Sequence, residues 1–97
     1  MHSRVFRDDV LEGAVVLVTG GGTGIGAATA LELGRMGAEV VIASRKLSHI
    51  EPAAAGMSEM LGKPVLGLQC DIRDRASVTE TCRQVVEQKG RFDILVN

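Results

Sequence analysis

The sequence predicts an α/β fold, one half of a doubly wound parallel sheet with the element order β-α-β-α-β-α-β. Four short apolar runs begin at residues 15, 40, 65 and 94, so their starts are 25, 25 and 29 residues apart. The runs are continuous rather than alternating, which is typical of strands buried on both faces of a parallel sheet. Each gap has room for one helix and carries apolar residues at helical spacing, which predicts that helices connect the strands.

Composition and length predict a globular chain, at most one small domain or a piece of a larger one, and exclude several functional classes. It has 97 residues, of which 45% are hydrophobic and 24% charged, and a formal net charge of -1. Without a basic block, nucleic acid and anionic membranes are not expected partners. No run reaches the roughly 18 apolar residues of a membrane-spanning helix. The two cysteines form neither a C-x-x-C pair nor a Cys/His cluster, so we expect no metal site and a reducing, cytoplasmic location, with peroxisome and mitochondrion left open.

The predicted strands are VVLV at 15–18, VVIA at 40–43, VLGL at 65–68 and ILV at 94–96. In the first gap an apolar stripe predicts a helix that Gly37 ends in a left-handed conformation. The stripe consists of Gly26, Ala30, Leu33 and Gly37.

The second and third gaps also carry helical stripes. The second stripe is Ile50, Ala54, Met57 and Leu61. Its helix could begin with a capping box at Ser48–Glu51, or near Glu51 with Pro52 as the first helical residue. The third stripe is Val78, Cys82, Val85 and Lys89, with Asp74 expected as the N-cap and Gly90 as the C-cap.

A glycine-rich segment joins the first predicted strand to the first predicted helix, and it is the main functional signal. Its candidate cofactor-binding residues are Gly20, Gly21, Gly22, Thr23, Gly24 and Ile25. A helix that follows a strand directly presents free N–H groups and the positive end of its dipole to a phosphate, and glycines allow a close approach. A P-loop is excluded because Ala27 stands where that motif needs lysine. A dinucleotide site and an S-adenosylmethionine site both fit the glycines.

The end of the second predicted strand favours NADP over the other nucleotides. NAD and S-adenosylmethionine expose a ribose diol, which a site usually binds through Asp or Glu at this position. Here the strand continues into Ser44, Arg45 and Lys46, which offer a hydroxyl and two cations and no acid. Because a 2′-phosphate requires cationic partners, we expect these three residues to bind NADP(H).

With these motifs the sequence resembles the short-chain dehydrogenases/reductases. The family's Thr-Gly-x-x-x-Gly-x-Gly motif is matched by Thr19, Gly20, Gly24 and Gly26, its acidic residue after the third strand by Asp71, and the start of its Asn-Asn-Ala-Gly motif by Asn97. The resemblance implies that Asp71 and the Ile72 backbone hold the adenine ring. It also implies that Ile25 lies along the pyrophosphate and nicotinamide ribose and that Asn97 lines the adenosine ribose. Thr23 departs from the pattern, because many NADPH-dependent members carry a basic residue there.

Within the family the chain is most similar to the 2,4-dienoyl-CoA and enoyl-CoA reductases. The segments that carry this similarity are Phe6-Arg7, 20–24, 42–46 and 69–74. The similarity implies an NADPH-dependent reduction of 2,4-dienoyl-CoA thioesters in fatty acid degradation, and it implies that Arg73 helps hold the acyl-CoA. Arg73 is equally well interpreted as a surface charge at a helix entry. The alternatives are a carbonyl reductase, such as a 3-oxoacyl thioester reductase or an alcohol dehydrogenase, and a non-catalytic dinucleotide-binding module.

The resemblance also predicts the domain organisation. We expect residues 1–13 to form an N-terminal extension and residues 14–97 to form the NADP-binding half of a Rossmann-type domain, truncated in or just after the fourth strand. The family's catalytic Asn, Ser, Tyr and Lys would then lie beyond residue 97, and the sequence contains no tyrosine. The full-length enzyme is expected to be a homo-oligomer, a tetramer, acting on a small acyl-CoA or carbonyl substrate.

Overall fold

The computed structural model describes residues 10–20, 22 and 24–96. Its elements are β1 (Val15–Thr19), α1 (Gly24–Arg35), β2 (Glu39–Ser44), α2 (Leu47–Leu61), β3 (Leu66–Gln69), α3 (Arg75–Lys89) and β4 (Ile94–Val96). This is the predicted alternation of strands and helices, and the predicted α/β fold is confirmed.

The four strands form one parallel sheet in the order β3-β2-β1-β4. The order reverses between β1 and β4, because the chain passes from β3 at one edge to β4 at the other. In doubly wound sheets the loops on either side of such a reversal diverge and leave a crevice at the carboxyl ends of the strands, where ligands bind. The sheet therefore has the strand order that accompanies nucleotide sites in doubly wound folds.

Alternate residues of the strands build separate cores on the two faces of the sheet. Val16, Val18, Val40 and Ile42 belong to one buried cluster with residues of α1 and α2. The opposite cluster contains Val15, Leu17 and Val41 together with Val85 of α3. Because both faces are covered, β1 and β2 contain no polar side chain in their central positions, which explains the continuous apolar runs of the sequence.

The predicted start of α2 is wrong in both versions. The helix begins at Leu47, and Lys46, in an extended conformation, is its N-cap without a side-chain cap. Pro52 therefore lies inside the helix, where it removes the bond to the carbonyl four residues earlier. The earlier start carries Ile50 into the core, where it is 0% exposed. Its burial stabilises the first turns of the helix.

The other predicted helix ends are confirmed. Asp74 caps α3 by accepting a hydrogen bond from the Ala76 backbone N–H at 3.0 Å, and Gly90 ends this helix with a φ of +81°. Gly37 has a φ of +102° two residues beyond the end of α1, and a Cβ there would lie 3.0 Å from the backbone of Glu12. Glycine is needed at that position for both its conformation and its small size.

Strand β4 is less buried than its apolar sequence predicts. Leu95 is 51% exposed, and its neighbours Ile94 and Val96 are half-buried. The reason is its place in the sheet, because among the described strands β4 pairs only with β1.

Within residues 10–20, 22 and 24–96, no helix is long and apolar enough to cross a membrane. The same residues include no group of three or more His, Cys, Asp or Glu side chains that could hold a metal ion.

Candidate dinucleotide-binding site at the carboxyl edge of the sheet

The sheet register brings the carboxyl ends of its strands to one edge. Thr19 of β1 lies opposite Ala43 of β2, and Ser44 of β2 lies opposite Gln69 of β3. The pairing continues one residue further, because the Gly20 N–H donates to the Ala43 carbonyl at 2.7 Å and the Cys70 N–H donates to the Ser44 carbonyl at 2.8 Å. The segments predicted to bind a cofactor therefore leave the sheet side by side.

The connection from β1 to α1 has the backbone that glycines permit. Gly20 and Gly24 have φ values of +69° and +59°, which L side chains rarely adopt, and a Cβ at either position would meet nothing within 4 Å. Glycine is therefore required at both positions for its conformation. The space above the backbone there is open. The first turn of α1 contains no acidic side chain, so no carboxylate of that turn competes with an anion for the free N–H groups at the helix end.

Ile25, in the first turn of α1, is 87% exposed. A helical isoleucine with so little contact contributes almost nothing to the core of the described chain. Its side chain is therefore available to cover a molecule bound at the end of this helix.

The segment after β2 has a fixed backbone and free cationic side chains. The Gln69 amide donates to the Arg45 carbonyl at 3.1 Å, and the Ser44 hydroxyl donates to the Lys46 carbonyl at 3.2 Å. The side chains of Arg45 and Lys46 are exposed. The two carbonyl contacts therefore fix where this segment lies while its guanidinium and ammonium groups face solvent.

The segment after β3 is a tight turn built around the Asp71 carboxylate. Oδ1 of Asp71 accepts the Arg73 backbone N–H at 3.0 Å and the Arg73 Nε at 3.1 Å, and Oδ2 accepts the Arg73 Nη2 at 3.2 Å. The Asp71 N–H in turn donates to the Ser77 hydroxyl at 2.9 Å. The carboxylate is thus held in one orientation by its own turn and by a bidentate arginine.

This pairing also favours the ionised forms of the Asp71 carboxyl and the Arg73 guanidinium. The hydrogen bonds from Arg73 lower the pKa of Asp71 below its ordinary value of 3.8, and the charge of Arg45 adds to the effect. The hydrogen bonds to Asp71 raise the pKa of the Arg73 guanidinium. Asp71 is therefore an ionised hydrogen-bond acceptor throughout the physiological pH range.

A cavity of about 280 Å³ lies where these segments meet. The residues that line it are Gly20, Ala43, Ser44, Arg45, Cys70, Asp71, Ile72 and Arg73. Small-molecule pockets measure roughly 300–1,000 Å³, so this cavity has the size of a site for one end of a dinucleotide. Its charged groups are two arginines and one aspartate.

The cavity brings together six of the thirteen residues that the sequence predicts for cofactor and substrate binding: Gly20, Ser44, Arg45, Asp71, Ile72 and Arg73. Gly22, Gly24 and Ile25 lie beside it in the β1–α1 connection, and Lys46 lies at the start of α2. None of these four lines the cavity. The predictions for Gly21, Thr23 and Asn97 lie outside the described residues.

Two side chains that position the cavity were missed by the sequence analysis. Gln69 fixes the Arg45 carbonyl, and Ser77 fixes the Asp71 backbone. The Gln69 contact joins segments 24 residues apart, and the Ser77 contact crosses a turn. Neither contact is accompanied by a sequence motif. The spacing of Ser77 after Asp74, within the first turn of a capped helix, is the only local signal that could have drawn attention to it.

A second, apolar cleft of about 210 Å³ lies on the α3 side of the sheet. It shares Cys70 and Ile72 with the first cavity and is otherwise lined by Leu17, Thr19, Val78, Thr81, Cys82 and Leu95. Cys70 is buried and Cys82 half-buried, and both are free thiols. The cleft brings no charged side chain to the site.

A parallel sheet whose first strand leads through a glycine-rich turn into a helix is the arrangement of a nucleotide-binding domain. The short chain dehydrogenase family matches residues 14–97, so the chain belongs to that family, and the resemblance drawn from its motifs is confirmed. A probable 2,4-dienoyl-CoA reductase 3 of Caenorhabditis elegans is 39% identical over 97 residues, covering 99% of this chain and 31% of the relative. Retinol dehydrogenase 13 of Mus musculus is 40% identical over 88 residues, covering 90% of this chain and 26% of the relative.

Solved structures agree with the fold. The citronellol catabolism dehydrogenase of Pseudomonas aeruginosa PAO1 has a TM-score of 0.88 and 36% identity, covering 99% of this chain and 40% of that one. L-sorbose reductase from Gluconobacter frateurii, solved with NADPH and L-sorbose, has a TM-score of 0.86 and 32% identity over 94% of this chain and 35% of that one. An NAD+-bound xylitol dehydrogenase has a TM-score of 0.82 and 34% identity over 89% of this chain and 33% of that one.

The comparisons define the chain at the level of the family. The similarity to 2,4-dienoyl-CoA reductases that the motifs predicted is confirmed. The family binds nicotinamide dinucleotides, and the solved relatives hold both forms of the cofactor. The chain spans about a third of the length of the curated relatives it matches, 31% of the dienoyl-CoA reductase and 26% of the retinol dehydrogenase.

Proposed function

We propose that the carboxyl edge of this sheet binds NADP(H), with the 2′-phosphate on the Arg45 side of the cavity and the adenine beside Asp71. The observation that carries the proposal is the convergence of three predicted segments on one cavity, lined by Gly20, Arg45 and Asp71. The cavity contains no acid at the end of β2 that could accept hydrogen bonds from a ribose diol. NADP(H) is therefore a better match than NAD(H).

Each part of the cavity matches a part of the cofactor. The guanidinium of Arg45 and the ammonium of Lys46 would bind the 2′-phosphate through charge-assisted hydrogen bonds. The Asp71 carboxylate, an ionised acceptor, would receive a hydrogen bond from the adenine amino group, and the half-exposed Ile72 would cover the ring. The glycines and the free N–H groups of α1 would bind the pyrophosphate. The exposed Ile25 would cover the cofactor where it continues toward the nicotinamide.

For the longer protein, we propose reduction of a 2,4-dienoyl-CoA or enoyl-CoA thioester. Bound NADPH supplies a hydride in such reactions. The described residues would contribute binding and orientation of the cofactor, because they line the cavity that would receive it. The similarity to a probable 2,4-dienoyl-CoA reductase over 99% of the chain supports this substrate class. On this proposal residues 14–97 are the cofactor-binding portion of the enzyme and residues 1–13 an extension ahead of it.

A carbonyl reductase is the second candidate, and the 40% identity to a retinol dehydrogenase favours it. The two candidates are separated by assaying NADPH oxidation by the longer protein with a dienoyl-CoA thioester and with a ketone. Turnover of the ketone alone would select the second candidate. Cofactor binding without turnover of either would select a non-catalytic dinucleotide-binding module.

The cofactor assignment is tested by replacing Arg45. A hydrogen bond to a charged group contributes about 1.5–3 kcal/mol, and about 1.4 kcal/mol is tenfold in affinity. Arg45→Ala should therefore weaken NADPH binding roughly ten- to a hundredfold and leave NADH binding nearly unchanged. Bound NADPH and bound NADH both fluoresce, so the same titration of the longer protein measures the two affinities.

Arg75 provides the matched control for this experiment. It is an exposed arginine at the start of α3 and does not line the cavity. Arg75→Ala removes the same charge from the chain and should leave the NADPH affinity within about twofold. Equal losses for NADPH and NADH in Arg45→Ala, or equal effects of the two variants on NADPH, would contradict the 2′-phosphate assignment.

A further inference from the structure

The charges of the cavity give Arg73 a role that its place at a helix entry does not suggest. We propose that Arg73 determines the preference of this site for a 2′-phosphate by neutralising Asp71, and this inference rests on the proposed NADP(H) function. Arg73 is therefore a specificity-determining residue that acts through its neighbour.

The first step of the argument is that Asp71 faces the same cavity as Arg45. Both line it, and the charge of Arg45 contributes to the low pKa of the Asp71 carboxyl. Electrostatic interaction is reciprocal, so a phosphate bound to Arg45 is subject to the charge of Asp71. A carboxylate in that position repels a 2′-phosphate, which carries up to two negative charges.

The second step is that Arg73 cancels this repulsion. Its guanidinium pairs with both carboxylate oxygens of Asp71, at 3.1 and 3.2 Å, and it lines the same cavity. Two guanidinium groups and one carboxylate leave the cavity with a net charge of +1. Without Arg73 the charges of Arg45 and Asp71 would cancel, and the cavity would lose its attraction for the additional phosphate.

The pairing serves the adenine as well as the phosphate. Because the Asp71 carboxylate is paired with Arg73, it repels a 2′-phosphate less than an unpaired carboxylate would. An uncharged residue in place of Asp71 would favour the phosphate but would offer the adenine amino group only a neutral acceptor or none. The pair thus combines an anionic acceptor for the base with a cationic cavity for the phosphate.

The experiment compares 2′,5′-ADP with 5′-AMP, two nucleotides that differ only in the 2′-phosphate. Their dissociation constants are measured by isothermal titration calorimetry for the wild type, Arg73→Gln, Asp71→Asn and the double variant. The affinity ratio of the two nucleotides isolates the 2′-phosphate, because any change in adenine binding affects both ligands equally. Asp71→Asn conserves side-chain length, whereas Arg73→Gln leaves a shorter, uncharged polar side chain. The Asn oxygen can still accept the Arg73 backbone N–H, so the turn is retained.

The net charge of the cavity predicts the order of the four ratios. Arg73→Gln should lower the preference for 2′,5′-ADP by about two- to fivefold, the range of exposed charge pairs. Asp71→Asn should raise it by a similar factor, and the double variant, again at a net charge of +1, should return to the wild-type ratio. At about 1 M salt the Debye length is roughly 3 Å. The differences in affinity ratio among the four proteins should therefore largely disappear.

The outcomes separate this inference from the proposed function. If the wild type prefers 2′,5′-ADP but all four ratios are equal, Arg73 and Asp71 do not influence the phosphate and the inference is wrong while the function stands. Arg73→Gln could lower the affinity ratio of the two nucleotides while the double variant fails to return to the wild-type ratio. In that case Arg73 contacts the phosphate directly, and neutralisation of Asp71 is refuted. If the wild type binds neither nucleotide, the proposed function fails and the inference fails with it.

Discussion

Replacing Gly20 with alanine should damage cofactor binding far more than it damages the fold. Gly20 and Gly62 form a matched pair, because both have a φ of +69° and a Cβ at either position would meet nothing within 4 Å. Only Gly20 lines the cavity, whereas Gly62 ends α2. A left-handed L-residue costs about 1–2 kcal/mol, so Gly20→Ala and Gly62→Ala should destabilise the chain by similar amounts. For a domain of this size that corresponds to a decrease in Tm of about 5–15 °C.

The two variants should differ in their affinity for NADPH. A methyl group on Gly20 enters space that the cofactor needs, and overpacking of this kind costs typically 1–3 kcal/mol. We therefore expect about a five- to hundredfold loss of NADPH affinity in Gly20→Ala, measured by fluorescence titration at a temperature where both variants are folded. Gly62→Ala should bind as the wild type does. Equal NADPH affinities in the two variants, at equal loss of Tm, would refute the placement of the cofactor against the β1–α1 turn.

Three further predictions concern the framework of the site. Gly67→Val should lower the free energy of unfolding by about 1–3 kcal/mol in urea titrations. The reason is that a Cβ on Gly67 would lie 3.1 Å from the Cβ of Ala54. An unchanged urea midpoint would contradict the close packing of β3 on α2. Asp74→Ala should cost about 0.5–2 kcal/mol through loss of the α3 N-cap, whereas Asp74→Asn, which keeps an acceptor, should cost much less; equal losses would contradict capping. Because the pKa of Asp71 is lowered by Arg73 in the folded chain, the stability from this pairing is present above the ordinary value of 3.8 and is lost as pH falls through the lower folded pKa. The difference in stability between the wild type and Arg73→Gln should therefore shrink below about pH 3.8, and a difference constant down to pH 2 would show that the pair contributes nothing.

The fold was predictable because its signals are local and repeat along the chain. Continuous apolar runs, helical stripes, and caps at Asp74 and Gly90 each specify one element, and they agree with one another. The start of α2 was not predictable, because Pro52 and the Ser48–Glu51 segment suggest two local solutions. The chain adopts a third, which begins at Leu47 and contains the buried Ile50 in its first turn.

Six of the residues that line the candidate cavity were predictable from the sequence, but the interactions among them were not. The sequence places Arg45 after β2 and Asp71 after β3, and parallel pairing brings such positions to one edge. No sequence signal distinguishes a free Arg73 from one paired with Asp71, since both depend on how the turn closes. The fixing of Arg45 by Gln69 depends in the same way on the register of β2 and β3.

The most direct test of the account is a map of the bound cofactor on the chain by ¹H–¹⁵N NMR during titration with NADPH. We expect the largest shifts at the backbone amides of Gly20, Arg45 and Ile72, which surround the cavity. Gly13 and Gly62 are glycines with positive φ that do not line it, and their amides should shift little. Shifts centred on those two glycines, or no saturable shift at Gly20, Arg45 and Ile72, would contradict the claim that the carboxyl edge of this sheet binds NADP(H).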